Sequence, residues 1–167
     1  MAPEPLPVPA PGSWTAGVDV GGTKVLGVLL DGAGAVHGRV RVPTGRGSGD
    51  VVAAVAAVVD RLRAGAGLAP GELDAVGVGV PGLVDPFAGT VAHAVNLGIG
   101  ADPVPLGALL ADGLGGVPVV LENDLNAATL GAAATPGLDG DLALLALGTG
   151  LAAGLLLDGR LRRGAHG

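Results

Sequence analysis

The sequence predicts an α/β protein with one complete lobe and the opening strands of a second. Three observations carry that prediction. Apolar runs follow each other as three strands, helix, strand, helix, strand, helix, and a last strand pair, told apart by their periods of two or 3.6 residues. The last pair repeats the first: shifted by 127 positions, VDVGGTKVLGVLLDG (18–32) lies on LALGTGLAAGLLLDG (145–159) without a gap. Between the two copies, VPVVLEND runs straight into LNAATLGAAA, a strand delivering carboxylates to a helix start.

Each element has its own signal. The first 13 residues, rich in proline, read as a disordered or polyproline arm, and they lack the basic start and long apolar core of a signal peptide. Thr15 to Val20 and Lys24 to Leu30 read as strands joined at Gly21-Gly22. DGAG turns the chain into a third strand, AVHGRVRVP. Asp50 is expected to cap a helix whose buried face carries Val51, Val55, Val58 and Leu62. GAGLAPGEL ends that helix, and DAVGVGVPG is a buried strand running into a glycine-proline turn. VDPFAGTVAHAVNLGIGADP reads as a long loop, unusual enough to suggest function. VPLGALLADGLG is a short helix; DLALLALGTG and AAGLLLDGRL form the last strand pair. The expected division is an arm at 1–13, a first lobe at 14–120 and the start of a second at 121–167, read as truncated.

Composition narrows the function. Hydrophobic residues make up 49% of the 167 but aromatics only 1%, so Val, Leu and Ala build the core. A net charge of -6 argues against nucleic acid as a partner, since phosphates need a basic face. The absence of cysteine excludes disulfides and thiolate metal sites within these residues. The longest uncharged apolar stretch, LALLALGTGLAAGLLL, is shorter than the roughly 20 residues a spanning helix needs and is broken by Gly-Thr-Gly. No membrane partner and a cytoplasmic location are therefore expected.

The repeated turn carries the chemistry. Glycines in a tight turn bare backbone amides and place no Cβ in the way of an anion, so such a turn can cradle phosphate. Gly21, Gly22, Thr23 and Lys24 would form one phosphate turn, with a hydroxyl and a cation beside the amides; Gly148, Thr149 and Gly150 would form the other. Asp19, at the end of the strand leading in, is placed to hold Mg2+ through water. The competing reading is that both are plain hairpin turns. At the strand-to-helix junction Asp124 could accept a proton from an attacking hydroxyl, and Asn123 could donate to and accept from a polyol. Here the competing reading is a helix cap, and the two roles are compatible.

Taken together these stretches resemble the ROK family of sugar kinases and repressors, within the actin-like ATPase (ribonuclease H-like) fold. The matching segments are GVDVGGTKVLGVLLD, VGVGVPGLVDPFAGTV, NLGI, PVVLENDLNAATLG and LALGTGLAAGLLLDGRLRRGAHG, covering 17–167 in family order. The resemblance implies phosphoryl transfer from ATP, with Mg2+, to a hexose or related sugar, in the manner of a glucokinase. It implies Asp124 as catalytic base, sugar contacts from Asn123, Asp124 and the Gly82 backbone, and phosphate contacts from Asp19, Gly21, Gly22, Thr23, Lys24, Gly148, Thr149 and Gly150. It also implies homo-oligomers for a full-length protein.

Two departures from the family pattern stand out. Ala152 and Ala153 occupy positions that are commonly glycine in the second turn, where a methyl is expected to crowd the nucleotide or oppose a positive φ. The sequence ends at RRGAHG, before the Gly-Glu-x-Gly-His motif and cysteine cluster that would supply further sugar contacts and a zinc site, so no zinc site is expected here and His166 is read as a loop histidine. The alternatives are a non-catalytic remnant that binds sugar or nucleotide weakly, and a sugar-responsive transcriptional regulator. The regulator would need a DNA-reading domain, and the arm before the first strand is too short for one.

Overall fold

The computed structural model describes residues 12–69, 71–135, 137–138, 140–147 and 151–164. The repeat copy at 148–150 and His166 lie outside them.

Strands β1 (Trp14–Val20), β2 (Lys24–Asp31) and β3 (Val36–Pro43) form an antiparallel meander. Helix α1 (Ser48–Ala66) leads to β4 (Ala75–Val80), which pairs parallel to β1. Helix α2 (Leu106–Gly113) leads to β7 (Val119–Asn123), parallel to β4. The five-stranded sheet therefore runs β3-β2-β1-β4-β7. Alternation along β1 buries Ala16, Val18 and Val20 and turns Gly17 and Asp19 to the other face. The buried face meets α1 through Val51, Val55, Val58 and Leu62, as the heptad-like spacing expects.

Two expectations are corrected, and the place of a third in the fold is found. Asp50 is not the cap: Gly47, with φ 90°, precedes the helix, and Asp50 reaches back from its first turn to accept the Arg46 amide at 2.9 Å. The stretch expected to be a long loop folds as a hairpin, β5 (Leu83–Asp85) with β6 (Thr90–Ala92), then a 3-10 turn at Val95–Leu97. Val84, Val91, Ala94, Leu97 and Ile99 take it into the core, which explains how so long a connection stays ordered. The lobe boundary expected at 120/121 falls inside β7, a strand of the first sheet.

Helix α3 (Asp124–Ala133) follows β7 without a loop and packs on a second sheet, β8 (Leu142–Leu147), β9 (Leu151–Leu157) and β10 (Arg160–Leu161). The internal repeat has a structural counterpart in its glycines. A Cβ on Gly27 would overlap Val58 of α1, and a Cβ on Gly154, its equivalent, would overlap Thr129 of α3. Each copy thus lets a helix lie close on its second strand.

The pairing of the two copies differs by one residue. Val18 faces Gly27 in the first hairpin, but Leu144, not Leu145, faces Gly154 in the second. Three residues separate the paired ends Leu147 and Leu151, against four between Val20 and Val25. A one-residue slip turns every side chain to the other face. Leu145, the sequence match of buried Val18, consequently points away from α3 and is exposed together with Leu147, Leu151 and Leu155.

Candidate active-site cleft

The face of the first sheet opposite α1 forms one wall of a cleft of about 790 Å³; α3 and the β8–β9 hairpin form the other. Register sets its floor. Asp19 pairs with Gly79, and Gly79 pairs with Glu122, so the three lie in one row across β1, β4 and β7. At about 4.8 Å per strand, Asp19 and Glu122 stand some 10 Å apart with no side chain between them. Asp124 lies above that gap. A Cβ on Gly79 would come 3.4 Å from the Asp124 Cα, so the bare glycine leaves room for the start of α3.

Asp19 is exposed at the cleft rim, yet its carboxyl is held above the ordinary aspartate value. Burial of its inner side is the main cause, the negative charge of Asp124 adds to it, and the Lys24 ammonium acts in the opposite sense. Asp19 therefore feels the charge of Asp124, 105 positions away in the chain, as well as that of Lys24 across the turn.

The junction at Asn123 resolves the cap question. Asn123 Oδ1 accepts the Leu125 and Asn126 amides at 3.0 and 3.3 Å, so Asn123 is the helix cap. Its Nδ2 donates to the Gly82 carbonyl at 3.2 Å. The acceptor proposed for a polyol is thus committed to the helix, and the free donor of Nδ2 is what remains to offer. Asp124 is the first helical residue, and its Oδ1 accepts the Leu125 amide at 2.8 Å. Gly82 sits at φ +98°, where its Cβ would fall 2.6 Å from the Ala92 oxygen, so glycine is required there by both backbone and space.

The turn at Gly21 is more occupied than an open amide cradle. The Gly21 amide donates to the Lys24 carbonyl at 2.9 Å, closing the hairpin. The Gly22 and Thr23 amides have no backbone partner among the described residues. Thr44, the residue after β3, braces the turn: its Oγ1 donates to the Gly21 carbonyl at 2.7 Å and its amide to the Thr23 carbonyl at 3.2 Å. Neither Gly21 nor Gly22 has a positive φ; Gly22 is small because a Cβ would come 2.9 Å from Asn96 Cβ. Asn96 belongs to the NLGI stretch, and its place beside the turn was not foreseeable from local pattern. Gly148, Thr149 and Gly150 lie outside the described residues.

The two alanines divide. Both sit in β9, paired with Ala146 and Leu145, at ordinary negative φ, so neither suffers the expected backbone conflict. Ala152 lines the cleft; Ala153, one residue on, faces away. Glu122 is a residue the sequence reading passed over as a site. Its side chain is only 12% exposed and pairs with Arg163.

A mixed sheet with helices on both faces, a glycine hairpin turn and a carboxylate at a helix start accompany the class that the solved neighbours show: an actin-like ATPase fold, here with a cleft between its layers. The chain belongs to the ROK family, whose profile matches residues 15–167. It is 36% identical over 155 residues to a glucokinase of Streptomyces coelicolor, covering 92% of this chain and 46% of that protein. The crystal structure of a ROK family glucokinase from Streptomyces griseus, in complex with glucose and AMPPNP, matches with a TM-score of 0.77 at 34% identity, over 91% of this chain and 47% of that one. A ROK family transcriptional regulator, a homologue of the E. coli Mlc protein, has the same fold at 23% identity, with a TM-score of 0.76 over 93% of this chain and 39% of that one. The chain spans about half the length of the curated relatives it matches. No helix among the described residues is long and apolar enough to cross a membrane.

Proposed function

We propose that this chain contributes the cleft of an ATP-dependent sugar kinase acting on a hexose or related sugar. The observation that carries the reading is the placement of Asp124. It starts α3 at the cleft wall, within electrostatic reach of Asp19 and hence of the DVGGTK turn. That is the geometry a general base needs: a carboxylate over the acceptor, a phosphate turn opposite. The glucose and ATP-analogue complex of the Streptomyces griseus relative supports the substrate classes.

In this proposal the Asp124 carboxylate takes the proton of the attacking sugar hydroxyl while the hydroxyl oxygen bonds to the γ-phosphorus of ATP and ADP leaves. The Gly22 and Thr23 amides and the Lys24 ammonium bind phosphate oxygens. Asn123 Nδ2 and the backbone at Gly82 orient the sugar. Mg2+, if bound, would be held by Asp19 through water and would offset the charge of the phosphates. The donor set suits it: the negative charge of Asp124 adds to what holds the Asp19 carboxyl above the ordinary aspartate value, and a cation there would relieve that repulsion. In the same proposal, the sheet through β7 is one lobe and α3 with β8–β10 opens the other.

A coupled ADP-release assay across a panel of hexoses tests this. Turnover that is abolished by Asp124→Asn is expected; equal turnover in the variant would sink the base assignment. A second reading is a chain that binds sugar or nucleotide without turning over. It predicts glucose or AMPPNP binding in calorimetry with no ADP released.

A further inference from the structure

Beyond the residues assigned above, Glu122 is the most connected side chain in the cleft wall. Its Oε2 accepts from Arg163, from Nε at 3.1 Å and from Nη2 as well, a two-pronged pair. Its Oε1 accepts the Asn123 amide at 3.0 Å and Asn126 Nδ2 at 3.1 Å. Asn126 is 8% exposed, so its amide depends on that acceptor. One carboxylate therefore joins three pieces of chain: β7, the first turn of α3, and the segment after β10, 41 residues away.

We infer that the Glu122–Arg163 pair is a latch that positions Asp124 by holding the first turn of α3 against the end of the second sheet. Two physical reasons support it. Glu122 holds both asparagines that flank Asp124: the backbone of the capping residue and the side chain of Asn126. Arg163 cancels the charge of Glu122 in a cleft that already contains Asp19 and Asp124. With Arg163 gone, a nearly buried carboxylate is left uncompensated, and removal of one partner is the costly way to break such a pair. Arg162 differs in this respect. It pairs with Asp158 four residues back, at 3.3 Å, with both side chains about half or more exposed, where ion pairs contribute little.

The latch rests on the kinase reading for its purpose but not for its test. Amide hydrogen exchange of the whole chain is measured for the wild type, Arg163→Met, Arg163→Lys and Arg162→Met. Arg163→Met is expected to speed exchange at Leu125 and Asn126 about tenfold, because Glu122, no longer held by Arg163, is free to leave the Asn123 amide and the Asn126 side chain. Amides of β2 and β3 should keep wild-type rates. Arg163→Lys, which keeps the charge, should restore most of the protection, and Arg162→Met should change nothing at α3. Wild-type exchange at Leu125 and Asn126 in Arg163→Met overturns the latch, as does acceleration spread evenly over β2 and β3. Where ADP release is observed, the same variant should lower kcat and leave KM for ATP unchanged. Absence of turnover would count against the kinase reading alone, since the exchange result decides the latch independently.

Discussion

Replacing Gly82 by alanine should destabilise this protein far more than the same change at Gly34, although both glycines have positive φ. Gly34, at φ +80°, has nothing within 4 Å of the added methyl. There the change costs only backbone strain, about 1 kcal/mol. Gly82 carries three costs. Its φ of +98° lies beyond the left-handed well, about 1–3 kcal/mol for an L residue. The new Cβ would stand 2.6 Å from the Ala92 oxygen, 2.9 Å from the Ala94 nitrogen and 3.0 Å from its Cα, all backbone atoms that cannot rotate away. Forcing such overlap costs about another 1–3 kcal/mol. Any shift of the turn also strains the Asn123 Nδ2 bond to the Gly82 carbonyl, about 1 kcal/mol. The sum is about 3–7 kcal/mol against a total stability of about 5–15 kcal/mol. At about 2–4 °C per kcal/mol for a chain of this size, Tm should fall by about 6–28 °C for Gly82→Ala and only a few degrees for Gly34→Ala. Thermal melts followed by circular dichroism measure both. Falls within 2 °C of each other would refute the claim that Gly82 is fixed by its neighbours in addition to its φ.

Gly27→Ala should lower stability by about 1–3 kcal/mol, because the methyl would overlap Val58, a fully buried residue of α1, and come 3.1 Å from Leu62; urea unfolding measures it, and an unchanged midpoint would mean that α1 does not lie so close on β2. Asp19→Asn should raise Tm at pH 7. The folded carboxyl has a raised pKa, so the wild type loses stability as pH rises from the unfolded value through the folded one; the gain in the variant should therefore shrink to nothing below the carboxylate range. A gain of the same size at pH 3 and pH 7 would contradict the charge-based cause.

The strand and helix order, the apolar face of α1 and the glycine-to-glycine echo between Gly27 and Gly154 were all legible, because each rests on local periodicity or on a residue type demanded at one point. Asn123 as a cap was legible for the same reason: its bonds reach only to residues 125 and 126. The hairpin inside 84–103 was missed because its strands are three residues each, too short for a period to show. The one-residue difference in the second hairpin is not legible in the sequence, because side-chain facing depends on where the pairing closes, and a gapless sequence match does not contain that.

The sequence by itself determined which residues could do chemistry here: a glycine turn with Thr23 and Lys24, and a carboxylate at the start of a helix. Only the tertiary structure decided which of them meet. Strand order β3-β2-β1-β4-β7 puts Gly79 between Asp19 and Glu122 and brings Asp124 over it. Packing sets Asn96 against Gly22, and the end of the second sheet delivers Arg163 to Glu122. These meetings join residues up to 105 positions apart, Asp19 with Asp124 being the longest. Local propensity acts over a few residues, whereas ladder register and core burial act across the whole chain, and the cleft is assembled by the latter.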